Sequence, residues 1–474
     1  MAKPAGQPRV RRVQCKYPQC GREEKRDQHC IFHLQDKTKE EAVEFYRELA
    51  QHKKRSEEAP SVPGVDFGGF FFPEPICDFK NEHFKKEAWF RNATFDGEAL
   101  FYGATFSRGA SFHEATFIGD ASFQNVTFTG MASFHAATFT GKAWFDSAKF
   151  SEIALFDSAR FSEIALFGGA TFPGIASFQD ATFGRDAWFS GATFKNAFFK
   201  RTLFLGTAAL EARFDRIAVF ERVVFQRDTI ESSDLTMATQ NSTRLPVASF
   251  DGAYVSEGAE VRFIQQREYR ADLDVERNFG IDRVSFLNVD LERFNFQEVE
   301  WGRLHGRRAV IEEALMGRPP FEHVTPEQVR QIYARLRANQ EKAFRYAEAG
   351  DFFIGEMDMR RRWLRDRGSG AFPERFLLWL FSGLSKYGES LTRPALATVI
   401  VIMGLAGLRL VLGEPSEWRF CQPLSVEESL IRSVASFFQL RSTTIWTDIL
   451  ERLVSIPILG VLFIALRRKL ERRS

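Results

Sequence analysis

Three cysteines and a histidine crowd the first part of the chain. The stretch "CKYPQCGREEKRDQHCIFH" sets Cys15, Cys20, Cys30 and His33 in a C-x4-C, nine-residue, C-x2-H arrangement. Thiolate sulfur and imidazole nitrogen are the ligands of tetrahedral structural zinc, and two knuckles joined by a short loop can close such a site. The ion would fold a segment too small to hold an apolar core of its own. Four protein ligands leave no open position, so the metal would be structural rather than catalytic. His29 is the alternative fourth ligand, although its adjacency to Cys30 makes His33 the better placed. The bland reading is three reduced thiols in a flexible arm. The chain has five cysteines, an odd set that argues against a secreted disulfide framework. Cys77 and Cys421 have no partner in the sequence and read as packing residues. No apolar signal run precedes the cluster.

The second group of interest is "RSTTIWTD", which holds Thr443, Thr444, Ile445, Trp446 and Asp448 between two apolar segments. Elsewhere there is no phosphate loop, no nucleophile–base arrangement and no pair of carboxylates in a defined context. An enzyme reading therefore has no residues to rest on.

The elements that must position these groups begin with a ladder. From Ala115 to Phe145 phenylalanine stands at 117, 123, 128, 134, 139 and 145, so gaps of six and five alternate. Helix needs apolar spacings of three and four, and Gly119, Gly130 and Gly141 weaken it further. A continuous strand fails because an odd gap followed by an even one flips the phenylalanine face. The chain must turn between phenylalanines, which a solenoid of very short strands allows. The residue two before each phenylalanine is alanine from Ala93 to Ala197, with Val126 interrupting, as a narrow interior requires. The six-residue gap carries an extra corner residue, often a glycine two after the phenylalanine, where a positive φ would be free of cost. Glu152, Glu163 and Arg185 hold that place elsewhere.

Units of "ATF", "ASF" and "AWF" plus two or three residues resemble the pentapeptide-repeat family over about Ala88 to Phe225. The resemblance returns more weakly from Val247 and from Val284, where Phe286, Leu291, Phe296 and Trp301 keep a spacing of five. It implies a mainly β fold, a right-handed four-sided β-helix. One role in that family is to imitate DNA with an acidic column; the near-balanced charge here, +2 overall, argues against it and against a nucleic-acid partner. Most of the 51 phenylalanines belong to the solenoid core.

"TPEQVRQIYARLRANQ" opens with a capping box, Thr325 with Gln328, and Pro326 at the first helical position. A first helix closed by Gly350 and a second capped by Asp351 would form a hairpin, which resembles a tetratricopeptide-like pair. Arg393 to Gly413 is long and apolar enough to span a bilayer, with Arg409 placed to snorkel. Leu450 to Leu466 is a shorter second candidate. Basic residues flank both, so the positive-inside rule predicts an integral protein of the cell membrane with both termini in the cytoplasm. The segment between the spans resembles the pore helix and filter of two-helix potassium channels, with Asp448 near that family's acidic residue. Trp446 and Thr447 stand where that family has Gly-Tyr-Gly, which removes the backbone freedom a selective filter needs. The resemblance implies a homotetramer.

The expected organisation is a zinc-binding-like segment over 1–36, a helical linker over 37–63, the β-helix over 64–228, a polar loop over 229–246 and a second repeat block over 247–301. A helical hairpin over 302–367, an interfacial helix over 368–392 and a two-span membrane region over 393–474 follow. The expected function is a membrane-anchored scaffold, with a protein partner on the solenoid or hairpin surface. The alternative is an oligomeric pore with a degenerate filter.

Overall fold

In a computed structural model of the chain, the residues described are 14–18, 20–225, 248–251, 253–255, 257, 260–264, 284–318, 321–367, 369–412, 425–439 and 446–471. The chain divides into two compact units, Met1–Glu322 and His323–Ser474.

In the first unit the phenylalanine ladder becomes a β-solenoid. Two-residue strands pair in parallel with their counterparts 22 residues along, as Phe117 does with Phe139 and Ala121 with Ala143. Two elevens therefore make one coil with four sides. The four columns of strands join into three sheets, because Thr171–Ser177, Thr193–Lys200 and Arg213–Glu221 run on around a corner and link two columns. Every inward slot is filled. The Phe117 and Phe139 rings stack 4.7 Å apart and 1° from parallel, while Phe134 and Phe145 from different sides meet edge-on at 5.3 Å and 88°. Both arrangements suit the ring quadrupole. The alternate slot holds alanine, and Cys77, buried and paired in register with Ala99, takes the same position. Thr202 fits there too, because its hydroxyl donates to the Phe178 carbonyl at 2.8 Å.

The corners differ from the sequence expectation. Positive φ falls in the five-residue gaps, at Asn92, Glu114, Asn125, Ala136 and Ser147. Glycines of the six-residue gaps serve a different need: a Cβ on Gly141 would lie 2.6 Å from the Gly119 carbonyl carbon, and one on Gly119 2.6 Å from that of Gly97. The extra residue presses successive coils together, so glycine is selected by contact rather than by backbone conformation. After Phe178 the coil shortens, and Phe178 stacks on Phe199 and Phe183 on Phe204, each 21 residues along.

The block beginning at 247 is not separate. Ala248–Ser249 pairs with Ala208–Ala209 and then with Val284–Ser285, so it extends the same ladder. Phe286, Leu291, Phe296 and Trp301 are all buried. Both ends of the solenoid are covered, as stacked repeats require. Helix α1, Lys39–Glu58, begins at a capping box of Thr38 and Glu41 and sets Phe45 against Phe72 at 5.4 Å. The segment read as a linker is thus a lid. At the other end Trp301 lies 5.1 Å from Phe296, and a hairpin of Gly302–Leu304 with Arg307–Ala309 leads into α2, Ile311–Leu315. Residues 302–315 therefore close the solenoid instead of opening a helical hairpin. Glu312 on α2 accepts the Phe286 amide at 2.6 Å and the Ser285 hydroxyl at 3.1 Å, completing a sheet edge. Beside it Arg307 and Glu313 form a buried two-pronged ion pair at 2.7 and 2.8 Å.

The second unit is helical. Helix α3, Pro326–Lys342, has the expected capping box and buries Val329, Ile332, Tyr333 and Leu336. It ends at Ala343, with Phe344 at a φ of +58°, and α4, Tyr346–Arg365, continues through Gly350 and Asp351. Gly350 is therefore not a stop. The glycine that matters is Gly355, where a Cβ would meet the Tyr333 ring at 2.8 Å, so its absence lets α3 and α4 close. Helices α5, Phe372–Ser385, α6, Thr392–Leu412, α7, Val426–Phe437, and α8, Trp446–Glu471, follow. Phe437 is fully buried between Ile402 and Ile458, joining α6, α7 and α8. Among the described residues one helix, Thr392–Val411, is long and apolar enough to cross a membrane. The second expected span falls in α8, where Glu451, Arg452 and Pro457 interrupt the apolar run.

Candidate metal centre

The knuckles are built by short backbone links. Cys15 donates its amide to Arg22 at 2.9 Å and Cys20 donates to Tyr17 at 3.1 Å, closing a turn that Gly21 completes at a φ of +63°. A helical turn, with His33 and Leu34 donating to the Cys30 carbonyl at 3.1 and 3.0 Å, puts Cys30 and His33 on one side. The four ligand atoms lie within 4.8 Å of one another. Cys15 Sγ is 3.5 Å and Cys30 Sγ 3.2 Å from His33 Nδ1, and Cys20 Sγ is 3.6 Å from Cys30 Sγ. Bonds of about 2.3 Å to sulfur and about 2.0 Å to nitrogen put the edges of a zinc tetrahedron close to these separations. The donor set thus fits the ion.

The surroundings fit it too. His33 Nε2 donates to the Gly68 carbonyl at 3.2 Å, which leaves Nδ1 as the ligating nitrogen, the usual way a second shell orients a metal-bound histidine. Tyr17 stacks on the imidazole at 3.9 Å and 6°. Burial holds the His33 imidazole down at about 4, so it is neutral and able to ligate, and burial pushes the Cys30 thiol up to about 12. A bound dication would displace that proton, as metal binding at thiol sites does. Arg22 donates to Cys20 Sγ at 3.7 Å and lies over Phe32 at 4.7 Å, bringing a cation to the thiolates. Four ligands would fill the shell, so the centre can staple but offers no open position for chemistry. His29 is half-buried and its Nδ1 lies 2.8 Å from the Asp27 carbonyl, outside the cluster.

The centre belongs to the solenoid. Phe32 stacks on Phe70 at 4.4 Å, its carbonyl accepts the Phe71 amide at 2.8 Å, and Gly69 lies against Tyr17. Residues 90–138, 101–149, 145–193 and 156–203 match the family described as pentapeptide repeats (9 copies). Over residues 90–203 the solenoid is thus similar to pentapeptide repeats. No curated protein and no solved structure matches the chain. The metal centre precedes the matched region of the pentapeptide-repeat coils and caps their first turn.

Tyr17, Arg22 and Gly68 were not legible as parts of the site. Only the local pattern of cysteine and histidine carries a signal, whereas these three meet it through folding. Of the pore-like residues, Thr443, Thr444 and Ile445 lie outside the described residues, as does Cys421. Trp446 and Asp448 belong to the first turn of α8. Arg409 is 1% exposed, with Nη2 3.4 Å from Ser436 Oγ on α7.

Proposed function

We propose that the protein is a membrane-anchored scaffold whose pentapeptide-repeat solenoid presents its outer faces to a protein partner from the cytoplasmic side. The observation that carries this reading is the filled interior. Phenylalanine and alanine occupy the inward slots without exposure, both ends are covered, and the solenoid therefore offers rigid surface rather than a cleft. Pentapeptide-repeat solenoids are structural or interaction modules. The anchor is assigned to α6, whose 21 residues reach about 32 Å, close to the thickness of a bilayer's hydrocarbon core. Its Leu396, Val399, Ile400 and Met403 are exposed in the isolated chain, as lipid-facing residues would be.

A channel remains the second reading, because Phe437 wedges α7 between α6 and α8 as a pore helix would sit. The absence of Gly-Tyr-Gly from the segment before α8 favours the inert anchor, since a selective filter needs that backbone freedom. Alkaline extraction of membranes tests the anchor: the full chain stays in the pellet, and deletion of residues 392–471 releases it. Release of the intact chain would sink the reading.

A further inference from the structure

We propose that a groove between the end of α4 and the start of α5 binds the headgroup of an anionic phospholipid. The groove, of about 530 Å³, is lined by Arg361, Arg362, Arg365 and Arg375 with Phe372, Phe376 and Trp379, and no acidic side chain lines it. Four guanidinium groups gathered in one open groove make its surface attractive to an anion. Arginine's planar fork matches phosphate oxygens in pairs. Glu374 holds Arg360 at 2.6 Å, and Asp358, which accepts the Tyr387 hydroxyl at 2.9 Å, lies 3.7 Å from Arg361 and offsets part of the groove's positive charge.

The aromatic residues decide between a lipid and a free phosphate. Phe372, Phe376 and Trp379 follow one another at spacings of four and three, form a stripe along α5, and are 58%, 48% and 57% exposed. Their rings stack in sequence at 6.2 and 5.8 Å. A soluble phosphate would leave this stripe in water. A phospholipid places its phosphate among the arginines and its glycerol and upper acyl chains against the rings, where Trp and Phe favour the membrane interface. Helix α5 leads within six residues into α6, so the groove is tethered near the membrane surface when α6 spans. The inference rests on that anchoring.

Native mass spectrometry of the full chain, extracted in detergent and titrated with short-chain phosphatidylglycerol, phosphatidylcholine or inorganic phosphate, tests it. Wild type is expected to retain phosphatidylglycerol in clear preference. Arg365→Gln with Arg375→Gln should lower that retention by about thirtyfold at unchanged melting temperature. Arg365→Lys with Arg375→Lys, which keeps charge but loses the fork, should fall between. Equal retention of the two lipids by wild type overturns the proposal even if the variants misfold. So does full retention in a folded double-glutamine variant, or displacement of lipid by equimolar phosphate. Flotation with neutral vesicles separates the two readings. A chain that floats without lipid preference loses the groove and keeps the anchor; one that never floats loses the anchor, while the short-chain titration still decides the groove.

Discussion

At the scale of single residues, the chain relies on buried groups whose chemistry is completed by neighbours far away in sequence. His33 needs Gly68 to fix its ligating nitrogen, and Phe32 needs Phe70 for cover. A peptide ending before the solenoid would lack both, so metal binding is best measured on the full chain. About one equivalent of zinc is expected by elemental analysis, with Cys20→Ser losing it and chelation lowering the melting temperature. Wild type purified without metal and equally stable would remove the claim. Glu312 supplies a second residue-scale test. Burial lifts its carboxyl to about 7, well above the ordinary carboxylate range. The folded state therefore favours the protonated form, and this stabilisation is complete at pH values below the unfolded group's titration and is lost as pH rises through about 7. The melting temperature of wild type should fall between pH 5 and 8 relative to Glu312→Gln, whose amide stays neutral. Parallel pH profiles for the two proteins would show that Glu312 does not carry the effect.

At the scale of elements, a solenoid side is too short to be stable alone and gains everything from stacking. Phe139 is fully buried between Phe117 and Phe161 at 4.7 and 4.8 Å, whereas Thr138 beside it points outward. Phe139→Ala should destabilise by about 3–5 kcal/mol through the cavity it leaves. Thr138→Lys should stay within about 0.5 kcal/mol, as surface changes do. Chemical denaturation of the two variants provides the comparison, and equal losses would mean that the inward assignment is wrong. The helical unit follows a different rule. There the close approach of α3 and α4 depends on one missing Cβ at Gly355, while Gly350, the more obvious helix breaker, is simply carried inside α4.

At the scale of the whole molecule, the chain pairs a capped solenoid unit with a helical unit that holds, among the described residues, one helix long and apolar enough to cross a membrane. The segment "TTIWT" has no glycine where an ion-coordinating backbone would need it, and Trp446 begins a helix. Reconstituted into liposomes, the protein should therefore give no potassium-selective flux above empty vesicles. Robust currents favouring potassium over sodium would replace the scaffold reading with the channel one, and a tetramer in detergent would support the ancestry without the conduction.

The alternating gaps of five and six determined the solenoid by themselves, because no helix or flat strand can keep those phenylalanines on one side. The spacing of Cys15, Cys20, Cys30 and His33 likewise named a donor set before any fold was known. Local pattern sufficed in both cases, since the constraint lies within one coil or one knuckle pair. Tertiary structure alone decided what depends on contact between distant segments. Ala248 joins the ladder at Ala208, although the sequence reads a boundary between them. Gly119 and Gly141 are glycines because the preceding coil's backbone lies where a Cβ would be. Helix α1 is a lid because Phe45 meets Phe72. Arg361 and Arg375, on different helices, share a groove only once α4 and α5 fold together. Each is a matter of what stands opposite, and periodicity along one segment carries no record of it.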